Sequence, residues 1–371
     1  MINLFQPNLG DAEIEAIREV FTSNWLGPGV RAQAFERKFA EYIGRPPSEL
    51  ITVSNCTEGL FQAVTALGLG PGDDVIFPSV GFVGAAHAVR NSGARVVLCD
   101  VDSTTLNPRI EHFEHAITEK TRAAIILHYG GYPGDVVELS KFAEARSISM
   151  IEDAACALGS FTMEKACGTF GEVGAWSFDS MKMLVTGDGG MVWAKRQLIA
   201  DKIRAGIRLG VESSGFHRRT RSAQWWEINP VMIGRRGTMN DIAAAVGLVQ
   251  LDRLPGFLCQ RAEVAARYDA ELSDLVWLRL PPRAPARAAR TFYWVQTAPE
   301  TRDRLALYLL QHEIYTSFRY WPLHKTRMYQ SHRAFPGADL AAASTLLLPL
   351  HQGLSTTDVS RVIDAVRRFP A

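Results

Sequence analysis

The chain has 371 residues, 47% of them hydrophobic, and a formal net charge of +1 at pH 7. This length and composition predict an ordinary globular protein with a substantial core, built as two domains or as one large domain with an appendage. The nearly neutral charge excludes a global field for nucleic acid or a membrane surface, so any polyanion must be recognised locally.

Signals for export, membrane insertion and metal binding are weak. The start, MINLFQPNLGD, lacks the basic-then-apolar pattern of a secretory signal, and we expect a cytoplasmic protein with no membrane-spanning run. The scattered cysteines, without a CxxC pair, argue against a disulfide framework and a zinc site. They are Cys56, Cys99, Cys156, Cys167 and Cys259. His112 and His115 have metal-ligand spacing, but the polar stretch EHFEH favours a solvated helix face.

The first predicted elements are a helix and a rigid loop. The helix is capped near Asp11 and leads into WLGPG. Its predicted apolar face consists of Ile14, Ile17, Val20 and Phe21. Trp25, at the start of the loop, either contacts a ligand or packs between helices, and the residues favour neither reading.

A strand at 51–54 then turns at 55–59 into an apolar helix. The N-terminus of such a helix presents free N–H groups and a positive dipole end to an anion. Thr57, in this turn, either contacts an anion or acts only as the helix N-cap.

Alternating strands and helices predict a doubly wound sheet. Strands are expected at 75–79, 95–100 and 122–128, with helices between them, and Phe82 heads the first of these helices. In such a sheet, ligands bind outside the carboxyl ends of the parallel strands.

Two further strands bring an acid, a hydroxyl and a lysine to that edge. The run ISMIED ends at Asp153, and a strand at 173–178 contains Ser177. Lys182 follows in a turn closed by the glycines of GDGG.

This trio has the chemistry of a pyridoxal phosphate (PLP) site. A lysine amine forms a Schiff base with the aldehyde, a carboxylate pairs with the protonated pyridine nitrogen, and hydroxyl and N–H groups hold the phosphate. Taken singly, Asp153 is better explained as a helix cap and Lys182 as a solvated lysine. The prediction of a PLP site therefore depends on their occurring together.

Beyond residue 195 the chain is helical and then basic and aromatic. An arginine cluster there either binds a diphosphate or forms a solvated loop. It comprises Arg218, Arg219, Arg221, Arg235 and Arg236. Two separate helices are predicted next, over 240–254 and 257–272, and the aromatic segment YWPLH contains Tyr320 and His324.

Together the motifs resemble the DegT/StrS-type nucleotide-sugar aminotransferases, a branch of the fold-type I PLP enzymes. The family pattern EDxAxxxG is matched by EDAACALG at 152–159, and SFxxxKxxxxGxGG by SFDSMKMLVTGDGG at 177–190. The likeness runs from WLGPG to YWPLH, nearly the whole chain. One departure is Cys156, where many relatives have a polar residue such as Gln.

The resemblance implies a fold and an assembly. The expected fold is an α/β PLP-transferase fold, with a large cofactor domain over residues 1–245 that contains a mostly parallel, doubly wound sheet. A smaller C-terminal α/β domain is expected over residues 246–371. The resemblance also implies a homodimer with shared active sites, in which Arg236 of one subunit reaches the cofactor phosphate of the other.

Residue roles come from the same likeness, and no metal is among them. Lys182 is expected to anchor PLP, Asp153 to pair with the ring nitrogen and Phe82 to stack on the ring. The phosphate ligands are expected to come from Cys56, where the family usually has Gly, and from Thr57, Ser177 and Arg236. The expected substrate contacts are Trp25, Arg218, Arg219, Tyr320 and His324.

The resulting prediction is a PLP-dependent aminotransferase of deoxyamino-sugar biosynthesis. It would transfer an amino group from an amino acid, expected to be L-glutamate, to C3 or C4 of a keto-deoxysugar on a nucleotide diphosphate. A sugar dehydratase of the same fold would replace Lys182 by histidine, and the arginine cluster disfavours a cyclitol aminotransferase. A non-catalytic regulator would not need Asp153 and Lys182 together.

Overall fold

The computed structural model of the protein describes residues 1–211, 228–285 and 287–371. Its strands are β1 (Leu50–Val53), β2 (Asp74–Pro78), β3 (Arg95–Cys99), β4 (Thr121–Leu127), β5 (Ser149–Asp153), β6 (Phe161–Thr162), β7 (Lys165–Ala166), β8 (Val173–Ser177), β9 (Gly190–Ala194), β10 (Tyr293–Gln296) and β11 (Thr345–Leu348). Arg218 and Arg219 lie outside the described residues.

A seven-stranded sheet in the order β1-β9-β8-β5-β4-β2-β3 forms the centre of the protein. Strands β8, β5, β4, β2 and β3 pair in parallel, and β9 runs antiparallel to both of its neighbours. The predicted mostly parallel, doubly wound sheet is therefore confirmed.

Eleven α-helices lie within the described ranges. They are α1 (Asp11–Thr22), α2 (Val30–Ile43), α3 (Cys56–Ala66), α4 (Val83–Asn91), α5 (Ile110–Ala116), α6 (Val136–Ala145), α7 (Gln197–Gly206), α8 (Asp241–Leu272), α9 (Pro299–Gln311), α10 (Pro336–Ser344) and α11 (Thr356–Arg367).

Helices cover both faces of the sheet because its strands are apolar on both sides. In β2, Val75 and Phe77 share one core cluster with residues of α3, α4 and α7. Ile76, between them, points the other way into a cluster with α5 and α6. On the same side as Ile76, α2 and α8 pack over β8 and β9. The face that carries α3 is the one toward which the end of β5 turns Asp153.

The long helix α8 corrects a prediction. Two helices with a break near Pro255 were expected, but one helix continues through this proline. Leu254 and Phe257, on either side of it, are buried in the same core, and that packing offsets the backbone hydrogen bond that proline removes. By length and composition α8 could cross a bilayer, yet half of the relevant window is buried in the protein, as in a core helix.

The C-terminal part packs around the antiparallel pair β10–β11. Its core cluster contains residues of α9, β11 and α11 together with residues of the second half of α8, from Val264 onwards. The predicted domain boundary at residue 245 thus falls inside α8, and the division into 1–245 and 246–371 stays a prediction.

Helix α1 only partly follows its predicted apolar face. Val20 is buried, whereas the side chains of Ile14 and Phe21 are 56% and 58% exposed. The apolar residues do recur at helical spacing, but Ile14 and Phe21 face away from the core of this chain.

Candidate active site

The two carboxylates that end β5 have different environments because successive strand residues point to opposite faces. Glu152, fully buried, accepts hydrogen bonds from three backbone N–H groups of the segment 168–171 at 2.5 to 2.7 Å. Its Oε2 also lies 2.9 Å from Nε2 of His128. Glu152 therefore organises a loop, a role that the sequence motif alone did not indicate.

Asp153 is 1% exposed and faces the side of the sheet that carries α3. Burial raises the pKa of its carboxyl, while the N–H of Ala155, 3.1 Å from Oδ1, and the positive charge of Lys182 act in the opposite direction. Within the described part of the chain, that N–H is its one side-chain hydrogen bond. A buried carboxylate so sparsely bonded is stabilised by a cationic ligand.

Lys182 lies in a tight turn that aims its amine at the end of β5. The turn is closed by hydrogen bonds from Lys182 N to Asp179 O, from Thr186 N to Phe178 O and from Phe178 N to Gly189 O, each 2.9 Å long. The half-buried Lys182 places Nζ 3.7 Å from Sγ of Cys156.

Cys156 links the lysine to the C-terminal aromatic segment. It is buried, and its carbonyl accepts a 2.6 Å hydrogen bond from Oγ1 of Thr291. Its Sγ lies 3.9 Å from Oη of Tyr320. Burial raises the pKa of Tyr320 well above its ordinary value, so this hydroxyl stays protonated beside the lysine. The predicted substrate residue Tyr320 is thus brought to the site.

The N-terminus of α3 forms a second wall of the site. Asn55 is its N-cap and accepts a 2.7 Å hydrogen bond from Glu58 N, so the reading of Thr57 as N-cap is wrong. The first turn leaves the N–H groups of Cys56 and Thr57 without intrahelical acceptors. Burial raises the pKa of the Cys56 thiol well above its ordinary value, so the thiol remains uncharged.

Glycine brings β9 against this helix end. A Cβ added to Gly190 would lie 2.7 Å from Cys56 N, so a larger residue would push the strand and helix apart. Ser177 is paired with Gly190 across the β8–β9 ladder and is therefore held beside the first turn of α3. The free backbone N–H groups of this helix end could form an anion cradle. The contribution of Thr57 and Ser177 to it stays a prediction.

Phe82 lies over the same region as the N-cap residue of α4, 41% exposed. A Cβ added to Gly84 would lie 2.7 Å from the ring of Phe82 and 3.1 Å from the methyl group of Thr57. The ring centroids of Phe82 and Tyr320 are 5.8 Å apart. Two aromatic side chains thus lie beside each other close to Thr57 and the α3 N-terminus.

Arg236 and Trp25 lie further out. Arg236 is exposed, and the next residue, Gly237, accepts a 2.7 Å hydrogen bond from Ser54 N, just before α3. Trp25 is 57% exposed, with Nε1 3.3 Å from the carbonyl of Pro28, so the reading that packs it between helices is wrong. The roles of both residues stay predictions.

His324 is 8% exposed, with both ring nitrogens engaged inside the protein. Nδ1 lies 2.6 Å from Oγ of Ser79, and Nε2 lies 3.1 Å from Oδ1 of Asp339. His324 thus ties the loop after β2 to α10, and its predicted substrate contact stays a prediction.

The side chains that converge here fit PLP in chemical type. A half-buried amine, a buried carboxylate that favours a cation, an aromatic ring and an N–H-rich anion cradle are the groups that this cofactor requires. Across the described ranges, no cluster of three or more His, Cys, Asp or Glu side chains could hold a metal ion. Sequence reasoning found these residues but missed the contacts of Cys156 and of the half-buried Arg319, which link segments far apart in the chain.

The comparison with known proteins gives one family over nearly the full length. The model of the DegT/DnrJ/EryC1/StrS aminotransferase family matches residues 7–367. The chain is 47% identical to a dTDP-4-dehydro-2,3,6-trideoxy-D-glucose 4-aminotransferase of Saccharopolyspora spinosa, over 99% of this chain and 96% of the relative.

Solved structures agree with the fold. The aminotransferase TlmJ from Streptoalloteichus hindustanus superposes with a TM-score of 0.94 at 48% identity, over 99% of this chain and 98% of that one. The PLP form of Spr1654 from Streptococcus pneumoniae gives a TM-score of 0.88 at 25% identity, over 98% and 97% of the two chains.

Proposed function

Because the chain belongs to the DegT/DnrJ/EryC1/StrS aminotransferase family, we propose that it aminates C4 of a dTDP-linked 4-keto-2,3,6-trideoxyhexose. The family, the fold-type I architecture, the PLP cofactor and the aminotransferase reaction are all as predicted from the sequence. The choice of acceptor is supported by the relative that is 47% identical and named for that reaction.

The observation that carries the proposal is the contact between the end of β5 and the lysine turn, where Nζ of Lys182 lies 3.7 Å from Cys156 Sγ. PLP, when bound, supplies an electron sink for the bonds at the carbon that carries the amine. Lys182 would hold the cofactor and carry the proton that leaves that carbon at Nζ. Asp153 would keep a positive charge on the ring nitrogen.

Other side chains orient the ligands. Phe82 would stack on the cofactor ring, and the backbone at Cys56, with Thr57 and Ser177, would hold the phosphate. An acceptor without hydroxyls at C2 and C3 suits the aromatic surface of Phe82 and Tyr320, which has few polar groups to match. L-Glutamate is the proposed donor, and the cytoplasm is the proposed location.

We also propose a homodimer, because two segments of the chain carry several exposed apolar side chains. Asp241 holds the loop after α1: its N–H lies 3.2 Å from Leu26 O, and its Oδ1 accepts a 2.9 Å hydrogen bond from Gly29 N. Residues 25–30 and residues 228–233, the latter bonded through Val231 N to Gly210 O at 2.9 Å, both carry exposed apolar side chains. They are Trp25, Leu26, Val30, Ile228, Val231 and Ile233, all more than 45% exposed. Clusters of this kind are typical of protein interfaces.

The acceptor is tested by a half-reaction. The enzyme is converted to its aminated cofactor form with L-glutamate, freed of donor and mixed with nucleotide keto-sugars that differ in nucleotide and in keto position. The proposal predicts the fastest return of aldehyde absorbance with the dTDP-linked 4-keto-trideoxy sugar. A faster return with a 3-keto isomer would contradict amination at C4.

A further inference from the structure

Cys156 places one nucleophile beside another, and the proposed amino transfer does not use its thiol. The sulfur lies 3.7 Å from Nζ of Lys182 and 3.9 Å from Oη of Tyr320. Cys156 is 1% exposed, whereas Lys182 is half-buried. A small solute that reaches the lysine amine is therefore within reach of this sulfur.

The other cysteines have environments that protect them from oxidation. Burial raises the pKa of Cys56, Cys99 and Cys167, so these thiols stay uncharged. A hydrogen bond to a carboxylate raises the pKa of the exposed Cys259. Oxidants react with thiolates, and a neighbouring cation favours the thiolate. Within the described ranges, Cys156 is the one cysteine that has an amine as a hydrogen-bond partner.

A buried hydroxyl near Cys156 has no hydrogen-bond partner in the described part of the protein. It belongs to Tyr129, which is fully buried. Burial raises the pKa of Tyr129, and the nearby Tyr320 and Cys156 raise it further. The rings of both tyrosines pack on Phe292, with centroid distances of 5.5 and 6.4 Å. Such a hydroxyl needs a polar partner, and a sulfenic acid is a better partner than a thiol.

We propose that Cys156 and Lys182 form an oxidation site, at which the two side chains become joined by a sulfur–nitrogen bond. A peroxide transfers one oxygen atom to Sγ, which yields the sulfenic acid and water. The Nζ lone pair then attacks Sγ, the sulfur–oxygen bond breaks, and the departing hydroxide takes a proton from the amine to form a second water. Two molecules of a reducing thiol reverse the link and are themselves oxidised to a disulfide.

The cross-link occupies the amine that holds PLP, and on this point the inference rests on the proposed function. Bound PLP in its aldehyde form uses the same amine of Lys182, so the cofactor and the cross-link exclude each other. The modification is therefore expected in chains that have lost the cofactor. There it keeps the sulfur of Cys156 from being oxidised irreversibly to the sulfinic acid.

The test treats the purified full-length protein with hydrogen peroxide, in its PLP form and after removal of the cofactor, and maps linked peptides by mass spectrometry. Cys156→Ser and Lys182→Ala each remove one partner. Cys56→Ala is the matched control, because it removes another buried cysteine of the same site. Linked peptides and the uptake of PLP are measured before and after treatment with dithiothreitol.

We expect linked peptides that contain Cys156 and Lys182 and have lost two hydrogen atoms, in the cofactor-free wild type and Cys56→Ala but in neither other variant. The uptake of PLP by the wild type should be lost with the link and return with dithiothreitol. A disulfide between Cys56 and Cys156 overturns the inference, as does sulfinic acid without a link or no change at Cys156. A link that forms equally in the PLP form supports the oxidation site but contradicts Lys182 as the cofactor lysine.

Discussion

Two regions of the site are held in different ways. The site floor, defined as Glu152, Asp153, Ser177 and Lys182, lies at strand ends and in one tight turn, where backbone hydrogen bonds fix it. The site rim, defined as Trp25, Arg236 and Arg319, is exposed or half-buried in loops. The difference indicates that the sheet fixes the positions of the floor residues, and we propose that ligands or a second subunit complete the rim.

The strongest test of the floor is Lys182→Ala. We expect turnover to fall by about 10⁴-fold or more, because the group that holds the cofactor and carries the proton is lost. Borohydride should fix a pyridoxyl group on Lys182 of the wild-type enzyme, as shown by peptide mapping. Labelling of another lysine, or equal labelling of the variant, would contradict the assignment.

Asp153→Asn should keep the fold and lower turnover by about 10²-fold or more, since a neutral amide cannot keep the ring nitrogen protonated. In the cofactor-free protein, the same substitution should increase stability at higher pH. Because burial raises the pKa of Asp153, the folded protein keeps this carboxyl protonated over a pH range in which the unfolded chain has already released the proton. Stability therefore falls as pH rises through that range, and the variant should escape this loss.

The measurement compares thermal unfolding of the cofactor-free wild type and Asp153→Asn from pH 4 to pH 8. We expect the free energy of unfolding of Asp153→Asn to increase relative to that of the wild type as pH rises, by about 1–3 kcal/mol at most. A constant difference across this range would show that Asp153 does not titrate as its burial indicates.

Glu152→Gln tests the neighbouring carboxylate, whose partners are all within the protein. We expect a loss of about 1–3 kcal/mol in the free energy of unfolding, because the amide cannot accept every N–H bond that the carboxylate accepts. Urea titration of the holoenzyme measures this loss. If folded Glu152→Gln lost as much turnover as Asp153→Asn, the two residues would not have the separate roles assigned here.

The rim is tested through Arg236. If Arg236 reaches the phosphate site of the other subunit, Arg236→Ala should weaken cofactor retention about tenfold. Hybrid dimers of Arg236→Ala and Lys182→Ala chains should then recover activity, since one of their two sites has neither defect. Hybrids that form without recovery would place Arg236 in its own subunit's site, or in none.

The positions of Asp153, Ser177 and Lys182 in the floor could be predicted from the sequence because their signals are local. Asp153 and Ser177 end strands, Lys182 follows in a glycine-rich turn, and parallel strands bring their ends to one edge. The contact of Arg319 could not, since Arg319 and Met181 are 138 residues apart and their approach depends on side-chain packing. His324 shows the same limit: its motif is recognisable, but its bond to Ser79 spans 245 residues.

The two errors in the helix predictions also have physical reasons. Two helices were predicted over 240–254 and 257–272, but one helix continues through Pro255 because burial on both sides of it outweighs one lost hydrogen bond. In α1, Ile14 and Phe21 have helical spacing without being covered by this chain. Periodicity identifies an apolar face but not the surface that covers it.

The continuity of α8 determines how the protein can come apart. Its first half packs against α1 and α2, and its second half is buried in the C-terminal core, so no exposed linker joins the two parts. Unfolding either part would expose one side of the same helix. The described chain should therefore melt as one cooperative unit, and limited proteolysis near residue 245 should not release two stable fragments.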